Sequence, residues 1–375
     1  KVIDSAMAPG MQILVGKKGE IIYHKSFGFH TYAKKIKVEN HHIYDLASLT
    51  KITATLPLIM REVDKKSFSL ESDLKDFMPE LEVSNKAKIS VKEALSHYAG
   101  FTPWIPFYKE TLDENGEQLS KFYRSRYKYR FDIPVANKLY LRSNFDKKIK
   151  KQIIESPLLD SLYYKYSDLP YYLFKNYLET KYKKPLDDLA YEFFYEPLGL
   201  ERTLFNPLKF ISKDEIVPSE IDNYFRNREL RGYVHDMGAA MQGGVGGHAG
   251  LFSNTEEVFK IMQMFLQRGN ANGYQFINSE TFDIFNQCYY CKQGNRRGVG
   301  FDKPQLEGDG PTCGCVSKSS FGHMGFTGTY VWADPRQDLI FVFLSNRTYP
   351  SKSNNLLSKR NIRTRIQAII YKALI

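Results

Sequence analysis

Two stretches rich in apolar and aromatic residues, 11–15 and 21–29, are predicted as strands. Gly16-Lys17-Lys18-Gly19 between them is a hairpin signal. From about residue 48 to 63 the apolar positions recur with helical spacing. A shorter helix is expected at 91–96, with Ser90 as its N-cap and His97-Tyr98-Ala99-Gly100 as its stop. Residues 102–160 break the rhythm and read as a long insertion with one or two helices, one of them near 147–154. Helical patterning returns after Asp168, over 171–180 and 185–194. A glycine-rich loop, Gly243-Gly244-Val245-Gly246-Gly247-His248-Ala249-Gly250, then precedes a helix at 255–268. Strands are expected again at 327–333 and 338–345, joined by the turn Asp334-Pro335-Arg336-Gln337, and 355–374 closes the chain as an amphipathic helix.

Strands at both ends around a helical middle predict an α+β fold. One antiparallel sheet would be built from N- and C-terminal strands and flanked by helices. The corresponding division is a sheet lobe from 1–50 and 250–375 and a mainly helical lobe from 51–249 that carries the 102–160 insertion. With 375 residues and 42% hydrophobic content the chain can bury a large core. No run of 18 apolar residues occurs, so no membrane span is expected. Lys1-Val2-Ile3-Asp4 has neither an initiator Met nor an apolar signal region, which predicts a mature or excised portion of a longer protein.

Charge adds one local feature. The net charge is +11, and between Lys121 and Lys151 there are 11 basic residues against Asp132 and Asp146. Aromatic residues interleave, as in Phe122-Tyr123-Arg124-Ser125-Arg126-Tyr127-Lys128-Tyr129-Arg130. This reads as a solvated, aromatic-anchored insertion, or as a surface for acidic ligands or the cell envelope. No nucleic-acid fold motif accompanies it, and nucleic acid is not an expected partner. The four cysteines fall in two close pairs, Cys288/Cys291 and Cys313/Cys315. That spacing admits disulfides in an oxidising compartment, unpaired thiols, or a structural zinc site.

The candidate chemistry starts at Ser48-Leu49-Thr50-Lys51. On a helix, residues three apart share a face, so a lysine ammonium sits beside a serine hydroxyl. Serine becomes a good nucleophile when an adjacent base takes its proton, and lysine serves as that base only if its pKa is lowered. Tyr166-Ser167-Asp168 offers a phenol that exchanges protons with such a lysine. Gly322-His323-Met324-Gly325-Phe326-Thr327-Gly328 places a histidine among glycines, where backbone N–H groups approach a substrate closely.

In this order and spacing the three motifs resemble the serine β-lactamase/penicillin-binding-protein superfamily, in its class C-like branch of esterases, D-aminopeptidases and amidases. Asp45-Leu46-Ala47-Ser48-Leu49-Thr50-Lys51 resembles the nucleophile segment of that family, and Ala94-Leu95-Ser96-His97-Tyr98-Ala99-Gly100 a helix end. Gly232-Tyr233-Val234-His235-Asp236 and Gly247-His248-Ala249-Gly250-Leu251-Phe252-Ser253 are similar to two further segments. The resemblance implies Ser48 as the acylated nucleophile, Lys51 as its base and Tyr166 as a proton shuttle. It also implies an oxyanion hole from the backbone N–H groups of Ser48 and Phe326, with Asp168, His323 and Gly325 in substrate-binding or supporting places. No cofactor is implied.

Two departures bear on substrate. Asp168 stands where the family often has Asn, and a carboxylate there raises rather than lowers the lysine's pKa, which shifts base work toward Tyr166. Met324 replaces a residue that is usually Thr or Ser, so a hydroxyl for a substrate carboxylate is missing and β-lactam hydrolysis is not expected to be efficient. The insertion is expected to overhang the site and supply aromatic walls and positive charge. Gly298-Val299-Gly300-Phe301-Asp302-Lys303-Pro304, Ser319-Ser320-Phe321-Gly322-His323 and Asn361-Ile362-Arg363-Thr364-Arg365-Ile366-Gln367 resemble the β-lactamase-like domain fused to family 3 β-N-acetylglucosaminidases. That implies an N-acetylmuramoyl-L-alanine-type amidase acting on muropeptides in the periplasm or cell envelope, fused to or working with such a glucosaminidase. A carboxylesterase or D-aminopeptidase-like hydrolase, and a noncatalytic module that holds cell-wall peptides, are the alternatives.

Overall fold

The computed structural model describes residues 2–159 and 163–375. Lys1 and Asp160, the last residue of the expected insertion, lie outside the described residues. Five strands form the main sheet: β1 (Gly10–Lys17), β2 (Glu20–Gly28), β3 (Phe321–Met324), β4 (Tyr330–Asp334) and β5 (Leu339–Ser345). Their order is β3-β4-β5-β1-β2, and every pairing is antiparallel. The two ends of the chain meet at the centre, where Leu14 pairs with Val342 and Ile13 with Phe343.

Side chains alternate across a strand, and here both faces of the central strands are buried. Leu14, Ile340, Val342 and Leu344 join the large core that includes Val258, Ile261, Met262 and Phe265 of the helix Thr255–Leu266. Met11, Ile13, Val15, Phe341 and Phe343 face the other way and pack with Leu357 and Ile362, against which Ile366 and Ile370 of the C-terminal helix Ile362–Leu374 also lie. Helices therefore cover the sheet on both sides, and β1 and β5 read as nearly continuous apolar runs.

The stretch expected as one helix from 48 to 63 is three pieces. A 3-10 turn spans Ala47–Leu49, a π turn spans Lys51–Thr55, and an α-helix spans Leu56–Asp64. Pro57 explains part of this, because proline has no N–H to give the carbonyl of Thr53. The hydroxyl of Tyr195 donates to that carbonyl instead, at 3.0 Å. The short helix Val91–Leu95 has the expected Ser90 cap, in a reciprocal capping box with Glu93. The helix after Asp168 runs over Leu169–Tyr182.

One expectation is corrected, and the cysteine alternatives are narrowed to one. The insertion holds the helix Phe145–Glu155 but also a three-stranded sheet, Tyr123–Arg124, Leu139–Leu141 and Ile133–Ala136. Its strands are too short to show a period among the lysines and arginines, yet Val135, Leu139 and Leu141 are buried. The four cysteines form two separate disulfides, Cys288–Cys291 and Cys313–Cys315, so their sulfurs do not converge on a zinc ion. Each pair closes a loop of a few residues and suits an oxidising compartment.

Gly16 of β1 marks a tight sheet–helix contact. A Cβ there would lie 2.1 Å from Cε2 of Phe259. Gly16→Ala is expected to destabilise the fold by about 1–3 kcal/mol, as overpacking does. The urea unfolding midpoint checks this, and an unchanged midpoint would show that the helix moves aside freely.

Candidate active site

The nucleophile segment is held before it is used. Ala47 has φ 48°, a left-handed conformation that costs energy for a residue with a Cβ. Its N–H donates to Oδ1 of the buried Asp45 at 2.8 Å, and Oδ2 of Asp45 accepts the N–H of His235 at 2.6 Å. From the other side, the hydroxyls of Thr327 and Thr329 donate to the carbonyls of Asp45 and Leu46, both at 2.9 Å. Ser48 is thus fixed between the 232–236 loop and the turn that joins β3 to β4.

Gly325 sits at the closest approach in that turn. A Cβ on it would lie 1.9 Å from Oγ1 of Thr329 and 2.6 Å from the carbonyl oxygen of Leu46. The turn closes with Gly325 N–H donating to Thr329 O at 2.8 Å, and it presents a half-exposed Phe326 beside Ser48. Gly325 therefore positions the nucleophile segment rather than lining the cavity.

Lys51 is wholly buried. Its ammonium donates to Ser48 Oγ at 3.0 Å and to the carbonyl of His248 at 3.2 Å, and it stands 2.7 Å from Oδ1 of Asp168. Asp168 reaches it because Ser167 Oγ takes over the start of the next helix, accepting the N–H of Leu169 at 3.1 Å. Burial alone pushes Lys51 down, but the Asp168 carboxylate and the Tyr166 oxygen outweigh it and hold the lysine above its ordinary value. The Lys51–Asp168 contact is an ion pair without good hydrogen-bond alignment, since Oδ1 finds no aligned donor.

Tyr166 is buried over Lys51, with the ammonium 5.1 Å from its ring centre. Burial raises its pKa, and the opposing pull of Lys51 and of Arg297, whose guanidinium lies 5.2 Å from the ring, does not reverse that. The resting site therefore holds an ammonium and a neutral phenol. A charged lysine has no lone pair for the serine proton, so the set becomes basic only on losing one proton.

His97 and His323 flank the tyrosine, with ring centres 4.5 and 6.0 Å away. Burial, aided by Arg297 and Lys51, holds both far below the ordinary histidine value, so they stay neutral. His323 Nδ1 donates to the carbonyl of Met324 at 2.8 Å. His323 does not line the cavity that opens at Ser48, and its ring lies beside Tyr166. The side chain of Met324 joins the apolar cluster under the C-terminal helix, away from Ser48.

A cavity of about 360 Å³ opens in front of Ser48, Tyr166 and Asp168. Trp104, Tyr224 and Phe326 wall it, and Lys352 brings a cation to it. Among the described residues, only Trp104 comes from the insertion expected to overhang the site, and the positive charge comes from the C-terminal segment instead. Lys352 Nζ lies 3.2 Å from the ring centre of Tyr224, and burial draws it below the usual lysine value. Asp236 also lines the cavity, with His248 Nε2 at 2.7 Å from its Oδ1. Burial pushes the Asp236 carboxyl up, but His248 and the N–H of Ala239 hold it well below the carboxylate range. The segments containing Asp236 and His248 are visible in the sequence, but their pairing across the glycine-rich loop is not. Trp104, Tyr224 and Lys352 carried no motif at all.

The sequence matches the family described as Beta-lactamase over residues 1–363. A protein of Escherichia coli strain K12 named "Putative D-alanyl-D-alanine carboxypeptidase" is 29% identical, over 93% of this chain and 82% of its own length. Among solved structures, EstCE1, described as a hydrolase with promiscuous acyltransferase activity, superposes with a TM-score of 0.66 at 18% identity, covering 94% of both chains. A class C beta lactamase from Rhodobacter sphaeroides gives 0.65 at 14% identity and 97% of both chains. At these identities the two structures speak for the fold alone.

Gly325→Ala tests the positioning. It is expected to shift Leu46 and slow labelling of the protein by a fluorophosphonate by about 100-fold, the usual effect of an ångström-scale misplacement. Circular dichroism should stay unchanged; labelling at the wild-type rate would show that the turn does not set the serine.

Proposed function

The chain belongs to the Beta-lactamase family and is a serine hydrolase of that family, and from that premise we propose an acyl-enzyme amidase that acts on muropeptides at the N-acetylmuramoyl–L-alanine type of bond. The observation that carries acyl transfer is the 3.0 Å contact of Lys51 with Ser48 Oγ, inside a cavity that also holds Tyr166.

In this reading Ser48 Oγ attacks the amide carbonyl while its proton passes to Lys51 or Tyr166, whichever has lost its own. The tetrahedral oxyanion rests on the backbone N–H groups of Ser48 and Phe326, each contributing about 3 kcal/mol. Collapse breaks the C–N bond, and Tyr166 returns the proton to the leaving amine. Water then attacks the ester with the same groups as base, releasing the acid and restoring Ser48. Aromatic walls suit an N-acetylated sugar, and Lys352 suits a carboxylate of the peptide. The resemblance of 298–304, 319–323 and 361–367 supports work alongside a β-N-acetylglucosaminidase in the envelope, where the two disulfides are also at home. No helix among the described residues is long and apolar enough to cross a membrane.

A D-alanyl-D-alanine carboxypeptidase follows the name of the relatives and is the second reading. Digestion of purified muropeptides separates the two by mass. Free L-alanyl peptide and an intact sugar are expected. Loss of terminal D-alanine alone would favour the second reading, and untouched muropeptides with an esterolytically active enzyme would sink both.

The pH profile tests the proton assignment. With Lys51 and Tyr166 both raised, kcat/KM for a p-nitrophenyl ester should climb into the alkaline range. Asp168→Asn removes the carboxylate that opposes burial, so Lys51 falls and the rising limb moves to lower pH. A limb that stays in place would mean another group titrates.

A further inference from the structure

A second cavity, of about 660 Å³, lies within the insertion and shares no lining residue with the one at Ser48. Phe122, Tyr127, Tyr129 and Phe145 supply rings, and Arg130, Arg142 and Lys148 supply cations. Tyr127 and Tyr129 are 70% and 80% exposed, with Tyr127 edge-on to Tyr140 at 6.4 Å and the Arg130 guanidinium 5.5 Å from the Tyr129 ring centre. Lys148 is paired with Glu110 at 2.9 Å. Among the described residues neither Arg130 nor Arg142 has a carboxylate partner. Tyr127 and Tyr129 stay largely exposed, yet they converge with Arg130, Arg142 and Lys148 on one hollow whose floor holds the buried Phe145.

We propose that this cavity binds a carboxylated sugar chain. Exposed tyrosines stack on the apolar faces of sugar rings, and guanidinium groups take carboxylates in paired hydrogen bonds. The same cations and rings would serve a single-stranded nucleic acid. Three polar residues decide between them. Asp132, Ser143 and Asn144 also line the cavity, with Ser143 Oγ donating to Asp132 at 2.6 Å. Hydroxyl, amide and carboxylate groups match the several hydroxyl and amide groups of each sugar ring, whereas a nucleic-acid strand offers at most one free sugar hydroxyl per nucleotide. Placement supports a holding role. The insertion packs on the 220–230 hairpin, with the ring of Tyr108 tilted against Phe225 at 5.0 Å, next to the Tyr224 that walls the Ser48 cavity. A polymer held at the insertion would keep its cleavable branches near the serine.

Binding to the full chain carrying Ser48→Ala, by titration calorimetry, tests this apart from any hydrolysis. The probes are soluble uncrosslinked peptidoglycan strands, oligogalacturonate, neutral chitin oligomers and single-stranded DNA. Saturable binding of a carboxylated probe is expected, weakened by salt. Arg130→Ala with Arg142→Ala should lower affinity about tenfold or more, as should Tyr127→Ala with Tyr129→Ala. In the chain with Ser48 intact, both pairs should leave p-nitrophenyl ester turnover unchanged. Peptidoglycan bound more tightly than oligogalacturonate would place the ligand in the cell wall, and the reverse would place it in a secreted uronate polymer. Equal binding of chitin, tighter binding of DNA, or affinity untouched by both pairs would each overturn the proposal.

Discussion

A lysine ammonium with no exposed surface organises the site. Removing such a charge from water costs several kcal/mol unless partners replace the lost solvation. Lys51 receives three: the Asp168 carboxylate, Ser48 Oγ and the His248 carbonyl. Each comes from a different stretch of chain, so the charge can be buried only when the helix at 169, the nucleophile turn and the glycine-rich loop are all in place. Folding and assembly of the site are thus one event.

The same arrangement leaves the resting site without a base. Asp168 stabilises the charged lysine, and burial keeps Tyr166 neutral, so reactivity depends on removing a proton that the surroundings favour keeping. His97 and His323 do not relieve this, because burial keeps them neutral too. The sheet contributes rigidity more than chemistry: Thr327 and Thr329 spend their hydroxyls on the carbonyls of Asp45 and Leu46. That use, together with Met324 turned to the far side, leaves the β3–β4 turn without a free threonine for a substrate carboxylate. Lys352 brings a cation to the cavity from the C-terminal segment.

Four of the five strands of the main sheet were legible because they carry their signal locally, whereas β3 was not expected as a strand. β1 and β5 are apolar runs bounded by turn residues, and the Gly16–Gly19 hairpin is written in four letters. The Ser48–Lys51 contact was legible for a different reason, since the three-residue spacing survives even though the turn is 3-10 and π rather than α. What stayed hidden depends on long-range pairing. Nothing near Asp168 indicates that Ser167 would cap the helix and release the carboxylate, although the effect of a carboxylate on Lys51 followed from charge alone. Nor does the sequence show the burial of Tyr166, which outweighs the nearby cations and raises its pKa. The small sheet of the insertion was masked by its own lysines and arginines.

The central claim is that Ser48 forms the covalent bond and that a buried, Asp168-paired Lys51 limits how fast it does so. The most direct measurement is acid-quenched mass spectrometry of the protein reacting with an activated ester across pH, with the adduct mapped by proteolysis. The account predicts a single acyl group on the peptide containing Ser48, accumulating faster as pH rises and absent from Ser48→Ala. An adduct on another residue, or a Ser48 adduct whose rate is flat with pH, would contradict it.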